Sequence, residues 1–495
     1  MVYKTFLPVQ HIRFQSVTVL SNASIPLLIE ESPWPPRRAQ QWSPATIAAM
    51  APVLNPVRTS SRVSNTASVA FWNPDRDLEA ANDGFKWDGA DYLESEMPTR
   101  HFFSADHRGA TGEVRYYSGD LRDAAGVPHD DLLPLSGFEQ LNNVSPPVLK
   151  IWLGTAGATT PLHYDSQTNV YAQLHGEKHV LLLPPEVLES ALYLHPRFHP
   201  LSHFSRLTRP LDPADAAQRA AFPRYAAAAE SLAHSVLLQA GDVLFLPPFW
   251  AHHAECQREC VSVNAWFASA DMSVMAEVDA LPLPFESEWP PGTLAAACLR
   301  FMTLLVLNMP GPTASHSSRS GGAVRQLLDG RWRQPARLLR GGVEAEVRAK
   351  VRAEVRAEVR AGAEAGVGGE EEELRCSPST TELTPKERAK LGSYAARRAA
   401  VLARISERVR ETLLADHIEQ LAHWLAAGSS VRTLRVLRRL ARCYELAGAD
   451  EAVPESEPLL GPHPTPEPPL LRPDDPQGSC SRAPFLERPS SARVG

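Results

Sequence analysis

Apolar and polar residues alternate in short runs through the middle of the chain, and turn-forming residues separate the runs. "VLKIWLG" (148–154), "NVYAQLHG" (169–176), "KHVLLLPP" (178–185), "HSVLLQAGDVLFLPP" (234–248) and "CVSVNAWF" (260–267) are rich in β-branched, aromatic and leucine residues. Such runs read as strands with one or both faces buried. Gly176 with Glu177, and Ala240-Gly241-Asp242, stand where neighbouring strands need tight turns. Short antiparallel strands with glycine turns fit a jelly roll better than a parallel α/β sheet. The expected fold class is mainly β with helices, a jelly-roll core followed by a C-terminal helical region.

The flanks have other patterns. "IPLLIEESPWPPRRAQQW" (25–42) predicts a short buried strand, a Pro-rich turn and a helix opening near Ser43, and residues 186–233 read as helix and irregular insertion. "TLAAACLRFMTLLVLNMP" (293–310) is apolar, but Arg300 interrupts it and it is shorter than a bilayer span, so a helix packed on the core is expected and no membrane partner. Residues 311–383 read as a linker that carries a VRAE-type repeat, with Val347, Val351, Val355 and Val359 at every fourth position. That spacing drifts around a helix and builds only a thin stripe.

Helix returns at Thr384, where Thr384, Pro385 and Glu387 form a capping box, and apolar residues from Val401 to Leu425 keep helical spacing up to Gly428. A second helix, "VRTLRVLRRLARCYELAG", completes a helical hairpin over 384–448, packed on the main domain or joining two subunits as a homodimer. Its arginines, Arg432 and Arg435 among them, read as a solvated face rather than a nucleic-acid surface. The expected divisions are an N-terminal extension (1–23), the β domain (24–290), a packing helix (291–310), the linker (311–383), the hairpin and a disordered Pro-rich tail (449–495).

Composition narrows the classes. The 495 residues with 43% hydrophobic content allow a large core. The net charge of -7 provides no global basic field, so a nucleic-acid role would need a local patch. Six cysteines show no disulfide framework, which predicts a reducing compartment, cytoplasmic or nuclear. The first 29 residues contain no acid, which leaves organellar targeting open, and they lack the order of a signal peptide. Cys256 and Cys260 match a zinc knuckle poorly and read as a reduced, inert pair.

The chemistry begins in "TTPLHYDSQTNVYAQLHGEKHVLLLPP" (159–185). In an extended segment His163 and Asp165 project from one face, an imidazole and a carboxylate suited to a first-row divalent metal. On its own the HxD pair says little and needs a third ligand. "GDVLFLPPFWAHHAE" offers His252 and His253, which as strand neighbours point to opposite faces, so one of them can join. Two histidines and one carboxylate leave three metal positions open, the facial triad of non-haem Fe(II) oxygenases. A bidentate 2-oxo acid fills two of these, and its second carboxylate needs a cation. Lys178 on the next strand is a candidate, with a surface charge beside the turn as the other reading.

With these pieces in view, residues 148–267 resemble the JmjC branch of the cupin superfamily, Fe(II)- and 2-oxoglutarate-dependent dioxygenases built on a double-stranded β-helix. The stretch is most similar to the group containing the asparaginyl hydroxylase called factor inhibiting HIF. The resemblance rests on "TPLHYDSQTNVYAQLHGEKHVLLLPP", "GDVLFLPPFWAHH" and "VNAWF", and more weakly extends over about 24–290. It implies His163, Asp165 and His252 as iron ligands, His252 because it holds the family's W-x-H place after Trp250. It also implies Lys178 as partner of the distal carboxylate of 2-oxoglutarate, Thr160 and Tyr117 (rather than Tyr116) as helpers, and Asn169 and Asn264 at the carboxylate near the metal. Hydroxylation of a protein side chain with release of succinate and CO2 is the implied activity. Lysine demethylation, tRNA hydroxylation and a non-catalytic binding module are the alternatives. His195, His199 and His203, in the insertion, read as loop histidines and not as ligands.

Overall fold

The alternating runs form strands. In this computed structural model, most of residues 6–60, 93–120, 129–309 and 383–425 are described, with scattered positions as far as Leu440. The repeat, most of the second hairpin helix, His199 and the Pro-rich tail lie outside the described residues. The described strands are β1 (Leu7–Pro8), β2 (Gln10–Arg13), β3 (Leu27–Glu30), β4 (Val53–Ser60), β5 (Leu93–Pro98), β6 (Val114–Asp120), β7 (Val148–Gly154), β8 (Thr159–Tyr164), β9 (Thr168–His175), β10 (Glu177–Leu183), β11 (His234–Gln239), β12 (Val243–Leu246), β13 (Ala251–Cys256) and β14 (Cys260–Phe267).

Strands β7 to β14 make the jelly roll. One sheet runs β11-β10-β13-β8 and the facing sheet β12-β9-β14-β7, with every neighbouring pair antiparallel. β1 extends the first sheet, while β2 and β3 on one edge and β6, β4 and β5 on the other widen the second. The β9–β10 turn needs Gly176: its φ is +75°, and a Cβ there would collide with the backbone carbonyl of Glu259.

Three apolar layers follow from the alternation. Between the sheets, Val180, Leu182, Leu244, Leu246 and Trp250 share one apolar cluster. Outside the larger sheet, Trp34, Trp42, Ile47 and Phe102 from the N-terminal segment cover Leu149, Ile151 and Val263. Outside the smaller sheet, Leu181 and Leu183 are covered by helices.

The helices whose bounds are described are α1 (Pro44–Met50), α2 (Thr99–Phe103), α3 (Leu188–Ala191), α4 (Ala216–Ala221), α5 (Pro223–Leu232), α6 (Ala270–Ala280), α7 (Pro291–Leu307), α8 (Pro385–Leu402) and α9 (Glu407–Leu425). Ser43 caps α1, and the Thr384–Glu387 capping box opens α8, as the sequence predicted. Where one helix was expected from Thr384 to Gly428, two are found. The chain leaves the helix at Ala403 to Ser406, where the Arg410 guanidinium takes the carbonyls of Ala403 (3.1 Å) and Ile405 (2.9 Å), and Asp271 Oδ1 accepts from Ser406 N (2.8 Å). No described helix is long and apolar enough to cross a membrane.

Two further expectations change. The apolar stripe that raised a homodimer through 384–448 is used inside the chain: Leu391, Ala395, Leu402, Leu413 and Ile418 share one cluster with Phe301 of α7 and Leu188 of α3. The segment read as linker contributes Leu327 and Arg331 to the core, each 1% exposed. The Arg331 guanidinium meets Glu189 (2.7 Å), Asp416 (2.5 Å) and Glu419 (3.1 Å), tying α9 to the start of the insertion after β10.

A buried cation facing three carboxylates makes Arg331→Leu strongly destabilising, by about 3–5 kcal/mol, because the carboxylates lose their counter-charge without regaining water. Thermal or urea denaturation measures this. His417 adds a pH dependence. It is buried and its Nε2 accepts from Arg398 (3.0 Å), so burial holds its pKa down at about 3. A histidine with a depressed folded pKa contributes stability that is complete above its unfolded pKa of 6.5 and lost as pH falls toward about 3. His417→Gln, which keeps an acceptor for Arg398, should flatten the fall in stability between pH 6 and 4.

Candidate metal centre

Between the sheets, one cavity is lined by polar side chains together with Val180, Leu244 and Leu246 of the apolar cluster. His163 at the end of β8 and His252 on β13 are paired across the sheet, and Asp165 follows β8 directly. A register shift lies between the His252–His163 and Ala254–Thr160 pairs. Simple alternation would send Thr160 and His163 to opposite faces. The extra residue of the shift, in a stretch where Pro161 has no N–H to offer the ladder, turns both to the cavity.

Backbone carbonyls fix both rings. His163 Nδ1 lies 2.8 Å from Pro161 O, and His252 Nδ1 lies 3.0 Å from Trp250 O. A carbonyl only accepts, so each Nδ1 carries the proton and each Nε2 presents a lone pair. The two lone pairs face Asp165, at 3.9 Å from Oδ1 and 3.7 Å from Oδ2, too far for hydrogen bonds. Asp165 Oδ2 is buried with no hydrogen-bond partner. Burial, with His252 beside it, holds the His163 pKa well below its usual value, which keeps the ring neutral and free to ligate.

One ligand atom from each of these three residues lies within 4.8 Å of the others, an arrangement of acceptors that a cation would resolve. The donor set of two neutral imidazoles and one carboxylate fits Fe(II). Phe204, from the insertion, stacks on the His163 ring at 4.6 Å and 12°, and His203 lies at 6.1 Å from it without joining the three. His253 points away, buried with both ring nitrogens unpartnered, and its pKa is lowered by burial to about 3.

Lys178 is 3% exposed and faces the same cavity from β10. Its Nζ donates to Ser262 Oγ (3.0 Å) and to the Tyr171 hydroxyl, and no described carboxylate pairs with it. A buried ammonium with only neutral partners is a site for an anion. Thr160 lies within the same cavity, hydrogen-bonded to Tyr116 (2.7 Å). Here the sequence expectation is corrected: Tyr116 lines the cavity, while Tyr117 faces the core beneath the larger sheet, its ring over Gly119. The signal was present in the sequence, since Tyr117 and Gly119 share a face and a glycine makes room for a flat ring above it. Asn169 and Asn264 line the cavity and bond each other at 3.0 Å. Tyr171, Ser262, Trp152 and Phe204 were not picked out from sequence. Cys256, Cys260 and Cys298 are buried and unpaired.

A family profile described as a cupin-like domain matches residues 19–273, just over half of the chain. The chain belongs to the cupin-like domain family. Cupin-like relatives include the human protein "Bifunctional peptidase and (3S)-lysyl hydroxylase JMJD7", 34% identical over 137 residues (25% of this chain and 42% of that protein). "Jumonji C domain-containing protein 5" of Drosophila melanogaster is 33% identical over 119 residues (24% and 27%), and "Lysine-specific demethylase JMJ30" of Arabidopsis thaliana is 29% identical over 121 residues (24% and 26%). The chain spans less than half the length of each. By these names the relatives are JmjC proteins, to which the chain is similar over about a quarter of its length; they do not carry the finer likeness to factor inhibiting HIF.

Asp165→Ala should leave the fold intact and weaken Fe(II) or Mn(II) binding by more than about a hundredfold, since it removes one of the three converging donors. Anaerobic calorimetry checks the affinity and circular dichroism the fold.

Proposed function

We propose that this chain is an Fe(II)- and 2-oxoglutarate-dependent dioxygenase that hydroxylates a side chain of a protein substrate. The observation that carries the reading is the convergence of His163, Asp165 and His252 in one cavity with the unpaired ammonium of Lys178. Iron bound with 2-oxoglutarate supplies the activation of dioxygen and the oxidation of a substrate C–H bond, with release of succinate and CO2.

The remaining work belongs to the protein. His163, Asp165 and His252 hold the metal. Lys178 neutralises the distal carboxylate, with Thr160 and Tyr116 beside it as hydrogen-bonding partners. Burial raises the Tyr116 pKa far above its usual value, so the phenol keeps its proton and remains a donor. Asn169 and Asn264, bonded to each other, form the amide pair at the place of the carboxylate near the metal. Trp152, Trp266 and Tyr171 line the cavity with aromatic surface that excludes water and strengthens these polar contacts.

A protein substrate is supported by the names of the relatives, a lysyl hydroxylase and a lysine-specific demethylase. The second of these names also favours an alternative in which the same oxidation falls on an N-methyl carbon.

The test is anaerobic. Fe(II)-loaded protein given 2-oxoglutarate should develop a visible metal-to-ligand charge-transfer band that is absent in His252→Ala. Lys178→Ala should raise the 2-oxoglutarate concentration needed for half of that band about a hundredfold, the cost of leaving a buried carboxylate unpaired. Folded wild-type protein that binds iron and shows no band overturns the proposal.

A further inference from the structure

An asparagine amide presents an oxygen at one end and an NH2 at the other in nearly the same shape, so its orientation is set by its partners. In the wall of the cavity, Trp152 Nε1 donates to Asn264 Oδ1 at 2.8 Å, and Asn264 Nδ2 donates to Asn169 Oδ1 at 3.0 Å. All three side chains are buried: Asn264 is 0% exposed, Asn169 4% and Trp152 9%. The first member fixes the direction of the whole chain. An indole N–H is a donor only, so Asn264 must turn its oxygen to Trp152. Its NH2 then faces Asn169, whose oxygen is the only atom able to receive it. Asn169 is left with its NH2 as the group offered to the cavity that also holds His163 and Asp165.

We propose that Trp152 is a positioning residue that sets the polarity of the Asn264–Asn169 amide pair, so that Asn169 meets the cavity's anionic ligand with a hydrogen-bond donor. The inference rests on the proposed co-substrate and adds a residue that never touches the metal. With the pair reversed, a carbonyl oxygen would face an anion beside the Asp165 carboxylate, and binding would be opposed. Trp152 is itself held in place, edge-on to Trp266 at 5.9 Å and 76° and tilted against Tyr116 at 6.1 Å. Its indole is therefore a fixed reference and not one more adjustable partner.

The experiment titrates 2-oxoglutarate into anaerobic Fe(II)-loaded protein by absorbance, and into Zn(II)-loaded protein by calorimetry, for wild type, Trp152→Phe, Asn264→Ala and the double variant. Trp152→Phe keeps an aromatic ring and loses the donor. It should weaken 2-oxoglutarate binding about tenfold with metal affinity unchanged. In the Asn264→Ala background the same change should have no further effect, because Trp152 acts through Asn264. Equal affinity in wild type and Trp152→Phe, or an undiminished loss in the Asn264→Ala background, overturns the proposal. Should Trp152→Phe fail to fold, the indole N–H resonance of Trp152 in 15N-tryptophan-labelled, Zn(II)-loaded wild type is read instead. Slow solvent exchange that is lost in Asn264→Ala supports the relay, and a rapidly exchanging N–H in wild type overturns it. Wild type that binds the metal and no 2-oxoglutarate overturns the proposed function itself, a result separate from any difference between variants.

Discussion

The structure is organised around three lone pairs held face to face. His163 Nε2, His252 Nε2 and an Asp165 oxygen converge with no proton between them, because the carbonyls of Pro161 and Trp250 take the imidazole protons on the far side. Such a cluster is repulsive by itself and is tolerated only where a rigid frame supplies it and a cation relieves it. The frame is the antiparallel pair of β8 and β13, which brings residues 163 and 252 opposite each other from segments nearly ninety positions apart.

Between the sheets of the jelly roll, leucine and valine of one apolar cluster meet amide, hydroxyl, ammonium and imidazole groups in a single cavity. The outer faces are covered by different parts of the chain, the N-terminal segment on one side and the helices on the other. The helical side reaches the site as well. Arg331 binds α9 to Glu189, and Glu419 of α9 accepts from the backbone of Arg197, in the same insertion that places Phe204 on His163. The C-terminal helices are thus part of the domain that carries the site.

The strand core, the glycine turns, the helix start near Ser43 and the Thr384–Glu387 capping box were legible because each depends on local pattern: alternation, positive φ or a hydroxyl at the head of a helix. The three converging residues were legible through the HxD spacing and the paired histidines, and the choice of His252 needed the family pattern. Other features depend on partners distant in sequence. Tyr116 and Tyr117 are both buried, and the register of β6 on β7 shows which faces the cavity, a choice marked in the sequence by Gly119 alone. Arg331 lies in a stretch whose composition reads as linker, and its three carboxylates come from two other elements. The amphipathic stripe of α8 and α9 gave the correct helical character; what covers it, another subunit or the chain's own α7, is a matter of packing.

X-ray absorption at the iron edge of the anaerobic Fe(II)-loaded protein tests the central claim most directly. The account predicts scattering from two imidazoles with all other ligands oxygen, and loss of that imidazole signature in the His163→Ala, His252→Ala double variant. Sulfur scattering, which would place the metal at Cys256 and Cys260, or an imidazole signature that survives in the double variant, would contradict it.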